Sequence, residues 1–476
     1  MAKNIIQQSV FYLWLCCMLV SCSSDKPSNQ PSVSSGWQTI FDGSTLEGWS
    51  QQGGTAEYHV EKGVIVGTAK TGNSNSFLVS HQQYNDFILE FEVKVDPQLN
   101  SGVQFRSQKR EQDGSVYGYQ FEIDGSPRAW TGGIYDEARR GWLYNLSRND
   151  EARAAFRSSR WNHMRVEAIG SSIRSWVNGV PAADLIDDAT REGLIGLEVQ
   201  SIGDDIDKEG LQVRWRNIRI KTGDLSGSKT PQNNAIEQFS FLINQLTPRE
   251  ISDGWELLWD GRTSQGWRGA RKTGFPDKGW SIENGVLSVL SSGGGEARNG
   301  GDIITTREFS NFELEIDFRI TPGANSGIKY FVDPYLLKGK GSAIGLEFQI
   351  LDDERHPDAK KGVSGNRTVG SLYDLITAVN QTEEGNRIKR VNPPGQWNRA
   401  RIVVRGNDVE HWLNNILVVR YNRGTQLFRS LVAYSKYAKW PNFGEWEKGP
   451  ILLQDHGDLV SFRSIKIKDL SFKEEL

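Results

Sequence analysis

The chain has 476 residues, too many for one core and suited to two domains of about 100–250 residues each. Its formal net charge is −3, so no basic field favours nucleic acid as a partner. Fifty glycines and 16 tryptophans, with few long helical patterns, point to strands and turns rather than helix bundles.

At the N-terminus Lys3 precedes Val10–Val20 (VFYLWLCCMLV), an apolar run too short to cross a bilayer as a stable helix. Leu19-Val20-Ser21-Cys22 resembles a bacterial lipobox. Residues 1–21 are therefore expected to be a lipoprotein signal, with Cys22 lipidated; an ordinary secretory signal is the alternative. Residues 22–35 are polar and rich in Ser and Pro, and read as a flexible tether. Cys16 and Cys17 leave with the signal and Cys22 is capped, so the mature chain is expected to lack disulfides and thiolate metal sites. No acidic run follows Cys22, which favours an envelope protein facing the periplasm.

The stretch Phe41–Trp49 (FDGSTLEGW) returns as Trp259–Trp267 (WDGRTSQGW). Other features pair in the same order. Phe87–Val95 matches Phe312–Ile320, and Asn100-Ser101-Gly102 matches Asn325-Ser326-Gly327. Tyr135-Asp136 matches Tyr373-Asp374, and Trp176-Val177-Asn178 matches Trp412-Leu413-Asn414. Ordered matches at such a long period mean tandem domains rather than a solenoid. Phe312 to Ile320 alternates apolar and charged residues, which predicts a strand with one face buried and one wet, as in antiparallel sheets. Val213 and Trp215 share one parity and Ile218 and Ile220 the other. Val460, Phe462, Ile465 and Ile467 repeat the slip, so a β-bulge is expected in both copies. The expected organisation is a first domain at 36–221, a linker at 222–246 and a second domain at 247–476. A short helix is expected within Ile236–Leu246, whose apolar residues recur at near-helical spacing.

The second copy resembles the 3-keto-disaccharide hydrolase domain family. The likeness rests on Leu246-Thr247-Pro248, Gly254 to Gly261 (GWELLWDG), Asn325 to Ile328 and Gln349 to Asp353 (QILDD). It continues through His356-Pro357-Asp358-Ala359, Leu372-Tyr373-Asp374-Leu375, Val409 to Asn414 (VEHWLN) and Leu453 to Asp458 (LQDHGD). The first copy resembles the family more loosely. The resemblance implies an all-β fold of two tandem concanavalin A-like jelly rolls, with the ligand on one sheet. It also implies activity on sugars oxidised at C3, in secreted or lipoprotein enzymes of bacterial glycan use.

In Leu346 to Ile350 (LEFQI) the apolar residues face the core, so Glu347 and Gln349 share the other face. In the first copy Gln120, Glu122 and Asp124 share one face. Gln120 aligns with Glu347 and Glu122 with Gln349, so the two copies cannot run identical chemistry. Glu122-Ile123-Asp124 begins like the Glu-x-Asp-x-x-Glu of laminarinase-like jelly rolls. Pro127 ends the pattern, which removes the acid of a retaining glycosidase. Of six histidines, His456 lies between Asp455 and Asp458 before a glycine turn, where carboxylates can raise its basicity. Ile202 replaces it in the first copy. His356 is a further catalytic candidate. No His/Asp spacing matches a known metal site, which leaves a metal open. Asn325, Gln349, Tyr373, Asp374, Lys436 and Gln454 are candidates to bind sugar hydroxyls, and Trp412 to stack on a sugar face. Tyr135, with the row Gln120, Glu122 and Asp124, could bind sugar in the first copy.

Two functions remain open. In the first, Glu347 or His456 removes a C2 proton made acidic by the C3 ketone, the C1 group leaves, and water adds back. That step needs no redox cofactor, and no dinucleotide fingerprint is present. A partner dehydrogenase would make the ketone. In the second, both copies are non-catalytic, lectin-like domains of a lipid-anchored protein.

Overall fold

The alternation in Phe312–Ile320 puts its apolar residues on one face as expected, but the opposite face is not wet: Glu313, Glu315 and Asp317 are buried beside Arg401, Lys466 and Arg399. Phe312, Leu314, Ile316 and Phe318 are buried inside a sandwich, and Phe87, Leu89, Phe91 and Val93 occupy the matching place in the first copy. A computed structural model describes residues 36–336, 342–383 and 385–471; the signal, tether and lipidation expectations at 1–35 lie outside the described residues. From Gly36 onward the chain forms one compact unit. Among the described residues, a nine-stranded and a seven-stranded sheet make the first sandwich, and an eight-stranded and a five-stranded sheet the second. Apart from one short parallel edge pair, the described strands pair antiparallel, and the chain crosses between the two sheets of each sandwich several times, with hairpin runs within a sheet between crossings. No described helix is long and apolar enough to cross a membrane.

The repeated turn serves the same purpose twice. Asp42 Oδ1 accepts from the amides of Ser44 and Thr45, and Asp260 Oδ1 from those of Arg262 and Thr263. The closing tryptophan then donates its indole N–H back across the turn, Trp49 to Ile40 O and Trp267 to Leu258 O, both at 2.9 Å. The predicted bulges are present. Register slips between Arg216 and Arg219 in Gln212–Lys221, and opposite Glu315–Asp317 in Val460–Asp469. Asn217 and Ser464 take left-handed backbone there, at φ 53 and φ 50.

The linker departs from expectation. Ile236–Leu246 holds no helix; Phe239–Ser240 is a strand that pairs parallel with Val180–Ile186. Its aromatics are claimed from both sides: Phe239 packs on Tyr144 at 4.7 Å, and Phe241 lies under Arg399 at 4.1 Å. The helix begins only where capping chemistry allows, at Pro248–Ser252, with Thr247 and Glu250 forming a capping box and Pro248 in the first turn. The two sandwiches also touch directly. Asn145 donates to Asn415 O at 2.6 Å and Asn415 to Leu143 O at 3.0 Å, while Arg401 ties the linker down by donating to Glu237 at 2.8 Å.

Candidate active site

Lys329 and Glu347 face each other across the strands Asn325–Asp333 and Ile344–Leu351 of the five-stranded sheet. Leu346, Phe348 and Ile350 fill the core, which turns Glu347 and Gln349 to the opposite face as the alternation requires. That face is not solvated: Glu347 is 6% exposed and Gln349 1%. The segment after the helix Gln426–Ala433 covers it, contributing Lys436, Tyr437, Lys439 and Trp440. Between sheet and cover lies a cleft, which Asn325, Gln454 and His456 also line. Gly327 stands between Asn325 and Lys329 on this face. A Cβ there would lie 2.4 Å from Glu347 Oε1, so glycine is what lets the carboxylate lie across the strand.

Lys329 organises the charges. Its Nζ sits 3.9 Å from Glu347, 3.9 Å from Glu296 and 4.0 Å from Asp302, and donates to Ala343 O at 3.2 Å. Burial alone would depress this ammonium, but Glu347, Asp302 and Glu296 hold it above its ordinary value, so it stays charged. Burial pushes Asp302 up to about 7, against the pull of Lys329. Tyr373 donates to Asp358 at 2.6 Å; burial and that bond raise its phenol. Lys436 Nζ lies 3.7 Å from the centre of the Tyr373 ring. Three buried atoms in the cleft make no hydrogen bond within the protein: Asn325 Oδ1, Gln454 Oε1 and His456 Nδ1, the last standing 4.0 Å from Asp458 Oδ2.

The predicted residues divide. Glu347, Gln349, Asn325, Tyr373, Lys436, Gln454 and His456 come together around the cleft. Asp374 stands behind it, taking Arg367 at 2.7 Å and the Lys436 amide at 3.0 Å, and so positions rather than lines. His356 caps the short helix Pro357–Lys360 and lies 6.1 Å from His456, ring centre to ring centre. Burial and His456 lower its basicity. His356, His456 and Asp458 each offer a ligand atom within 4.8 Å of the others, the cluster among the described residues that can hold a metal ion. Trp412 is a correction. It sits on the opposite sheet in the groove between the sandwiches, beneath Arg148 at 5.8 Å and Arg401 at 5.9 Å, and cannot stack on a ligand in this cleft. Gln120, Glu122 and Tyr135 line a separate cavity on the first sandwich. Asp124 is engaged by Arg128 at 2.7 Å beside it. Sequence reasoning missed Lys329, Glu296 and Tyr437. Only Lys329 carried a signal, since it shares the parity of Asn325 along NSGIKYFVD.

Compared with known proteins, the sequence pattern of the 3-keto-alpha-glucoside-1,2-lyase-like domain matches residues 36–221 and again 254–468. A 3-keto-disaccharide hydrolase of Bacteroides thetaiotaomicron is 40% identical over 239 residues, 46% of this chain and 79% of that protein. A solved structure of a candidate glycosyl hydrolase from Parabacteroides distasonis is 29% identical with a TM-score of 0.41, covering 48% of this chain and 100% of that one. A second from the same organism is 27% identical with a TM-score of 0.32, covering 45% and 99%.

Proposed function

The chain belongs to the 3-keto-alpha-glucoside-1,2-lyase-like domain family, and from that premise we propose that its second sandwich hydrolyses glycosidic bonds of sugars carrying a ketone at C3. The ketone makes the C2 hydrogen acidic. Glu347 removes that proton and the electrons pass into the C3 oxygen, where the Lys329 ammonium stabilises the enolate. The enolate then expels the C1 oxygen, which takes a proton from His456. The products of this half are an alcohol and a C1–C2 enone. Water adds at C1, a proton returns to C2, and the free 3-keto sugar results. The sum is hydrolysis with no net redox change, so a separate dehydrogenase supplies the ketone.

One observation carries the reading. Three buried polar atoms without a hydrogen bond, on Asn325, Gln454 and His456, line the cleft that also holds the Lys329–Glu347 pair. Buried polar groups are ordinarily paired, and leaving one unmade costs about 1–3 kcal/mol, so sugar hydroxyls suit them. The test is release of 4-nitrophenol from 4-nitrophenyl 3-keto-α-glucoside. Release is expected from the ketone and not from the parent glucoside. No release from either would leave the lectin-like alternative. A second reading of His456 comes from its nearness to His356 and Asp458. If the three bind a metal, chelation abolishes turnover and a divalent cation restores it; if His456 is the acid, chelation changes nothing. We further propose that Cys22 anchors the protein by lipid in the bacterial envelope, facing the periplasm.

A further inference from the structure

The first sandwich holds a cavity at the place that corresponds to the cleft of the second. Register makes the correspondence definite. Gly102 pairs with Glu122 where Gly327 pairs with Gln349, and Gln104 pairs with Gln120 where Lys329 pairs with Glu347. The Lys–Glu pair has thus become two amides, Gln104 donating to Gln120 at 2.5 Å. The carboxylate has moved two residues along the strand to Glu122, about 7 Å away at the usual strand rise. There Glu122 accepts from Asn100 at 2.7 Å and Arg128 at 3.1 Å. His456 is replaced by Ile202. The proton-transfer set of the second copy is therefore gone, yet the cavity keeps its polar lining.

The other half of the chain closes it. Arg390 reaches across from the second copy, donates to the Tyr135 hydroxyl at 2.6 Å and lies 4.9 Å from the centre of that ring. Gly141 leaves room for the guanidinium, since a Cβ there would lie 2.0 Å from Arg390 Cζ. Glu383, also from the second copy, stands 3.9 Å from Arg128 in the adjoining groove. One buried atom is unpaired. Glu198, 1% exposed, lines the cavity; Gln120 hydrogen-bonds to its carboxyl, but Oε2 is left without a hydrogen-bond partner within the protein. Burial and the charges of Glu137 and Glu122 raise this carboxyl well above the usual range.

We propose that this cavity, walled by the first sandwich and closed by Arg390 of the second, is a separate binding site for an uncharged sugar. Three carboxyl groups, on Glu122, Glu137 and Glu198, exclude an anion of similar size. Two arginines, Arg128 and Arg390, oppose a metal ion, and these carboxyls are not among the described groups that converge closely enough to ligate one. Side-chain amides, carboxyls and guanidinium groups in alternation suit a ring of hydroxyls, with Trp142 as the aromatic wall.

The test is calorimetric titration of the full chain with glucose and with methyl α-glucoside, which lack the ketone and are not turned over. Binding of one of them is expected to survive Glu347→Ala in the other cleft. It should weaken at least tenfold in Arg390→Ala and several-fold in Tyr135→Phe, a change too small to unfold the sandwich. Loss of binding in Glu347→Ala, with none in Arg390→Ala and Tyr135→Phe, would put the sugar in the second cleft alone and overturn the proposal. So would no binding of either sugar, or calcium binding that depends on Glu122. These outcomes are independent of whether the chain cleaves 3-keto glucosides.

Discussion

Gly327→Ala probes the placement of Glu347 without touching its chemistry. The new methyl would lie 2.4 Å from Glu347 Oε1, 2.9 Å from Cδ and 3.0 Å from Cγ. Ordinary contacts begin near 3.5 Å, so the carboxyl must move by about 1 Å. Gly327 has no left-handed backbone, so alanine adds no strain of its own. Overpacking of this kind costs about 1–3 kcal/mol, which a chain with two large cores should survive. A misplacement of about 1 Å at a reacting group costs roughly 10²-fold in rate. The assay is kcat/KM on 4-nitrophenyl 3-keto-α-glucoside, with thermal unfolding alongside. Gly102→Ala is the matched control: its Cβ would lie 2.3 Å from Gln120 Cδ, the same insult in the first sandwich. The expected result is a rate loss of about 10²-fold in the second sandwich and none in the first, at similar stability cost. A folded Gly327→Ala with unchanged kcat/KM would refute the role given to Glu347.

Glu347→Gln and His456→Ala should each lower turnover by roughly 10²–10⁴, measured with the same substrate; intact turnover in both would leave the proton transfers unassigned. Burial would raise Glu315, but Lys466, Arg399 and Arg401 hold it at about 2. Its folded value lies below its unfolded one, so its stabilisation is present above about pH 4.5 and fades as pH falls toward 2. Glu315→Gln strands buried cations and should cost about 3–5 kcal/mol at neutral pH, with a flatter acid limb in melting profiles; an unchanged limb would contradict this. Cys22→Ser should move the protein from the membrane fraction to the soluble one, because stable anchoring needs more than one acyl chain at about 0.8 kcal/mol per buried CH₂. Unchanged fractionation would rule out lipidation at Cys22.

What could be read in advance followed from periodicity. The alternation in LEFQI placed Glu347 and Gln349 on one face, and the paired parity slips marked both bulges, because strand geometry is local. Contacts between loops were not legible. His356 and His456 meet through turns with no period, and Glu296 joins Lys329 from a glycine-rich loop. Trp412 misled for a physical reason. Its counterpart Trp176 also lies beneath two arginines, Arg165 at 5.9 Å and Arg174 at 5.2 Å, so the shared tryptophan reflects packing of the outer sheet. The helix expected in Ile236–Leu246 failed because the edge strand and two aromatic contacts outweigh weak local helical spacing.

The central claim is removal of the C2 proton, and the fate of that hydrogen tests it directly. Methyl 3-keto-α-glucoside deuterated at C2 would be cleaved in ordinary water and the released 3-keto sugar analysed by mass spectrometry, against an enzyme-free control for spontaneous exchange. The account predicts that the product has lost its deuterium to solvent, that cleavage is slower than for the protiated substrate, and that Glu347→Gln suppresses both cleavage and exchange. Cleavage at full rate with deuterium retained at C2 would contradict it, since the C1 bond would then break by direct displacement without the ketone's help.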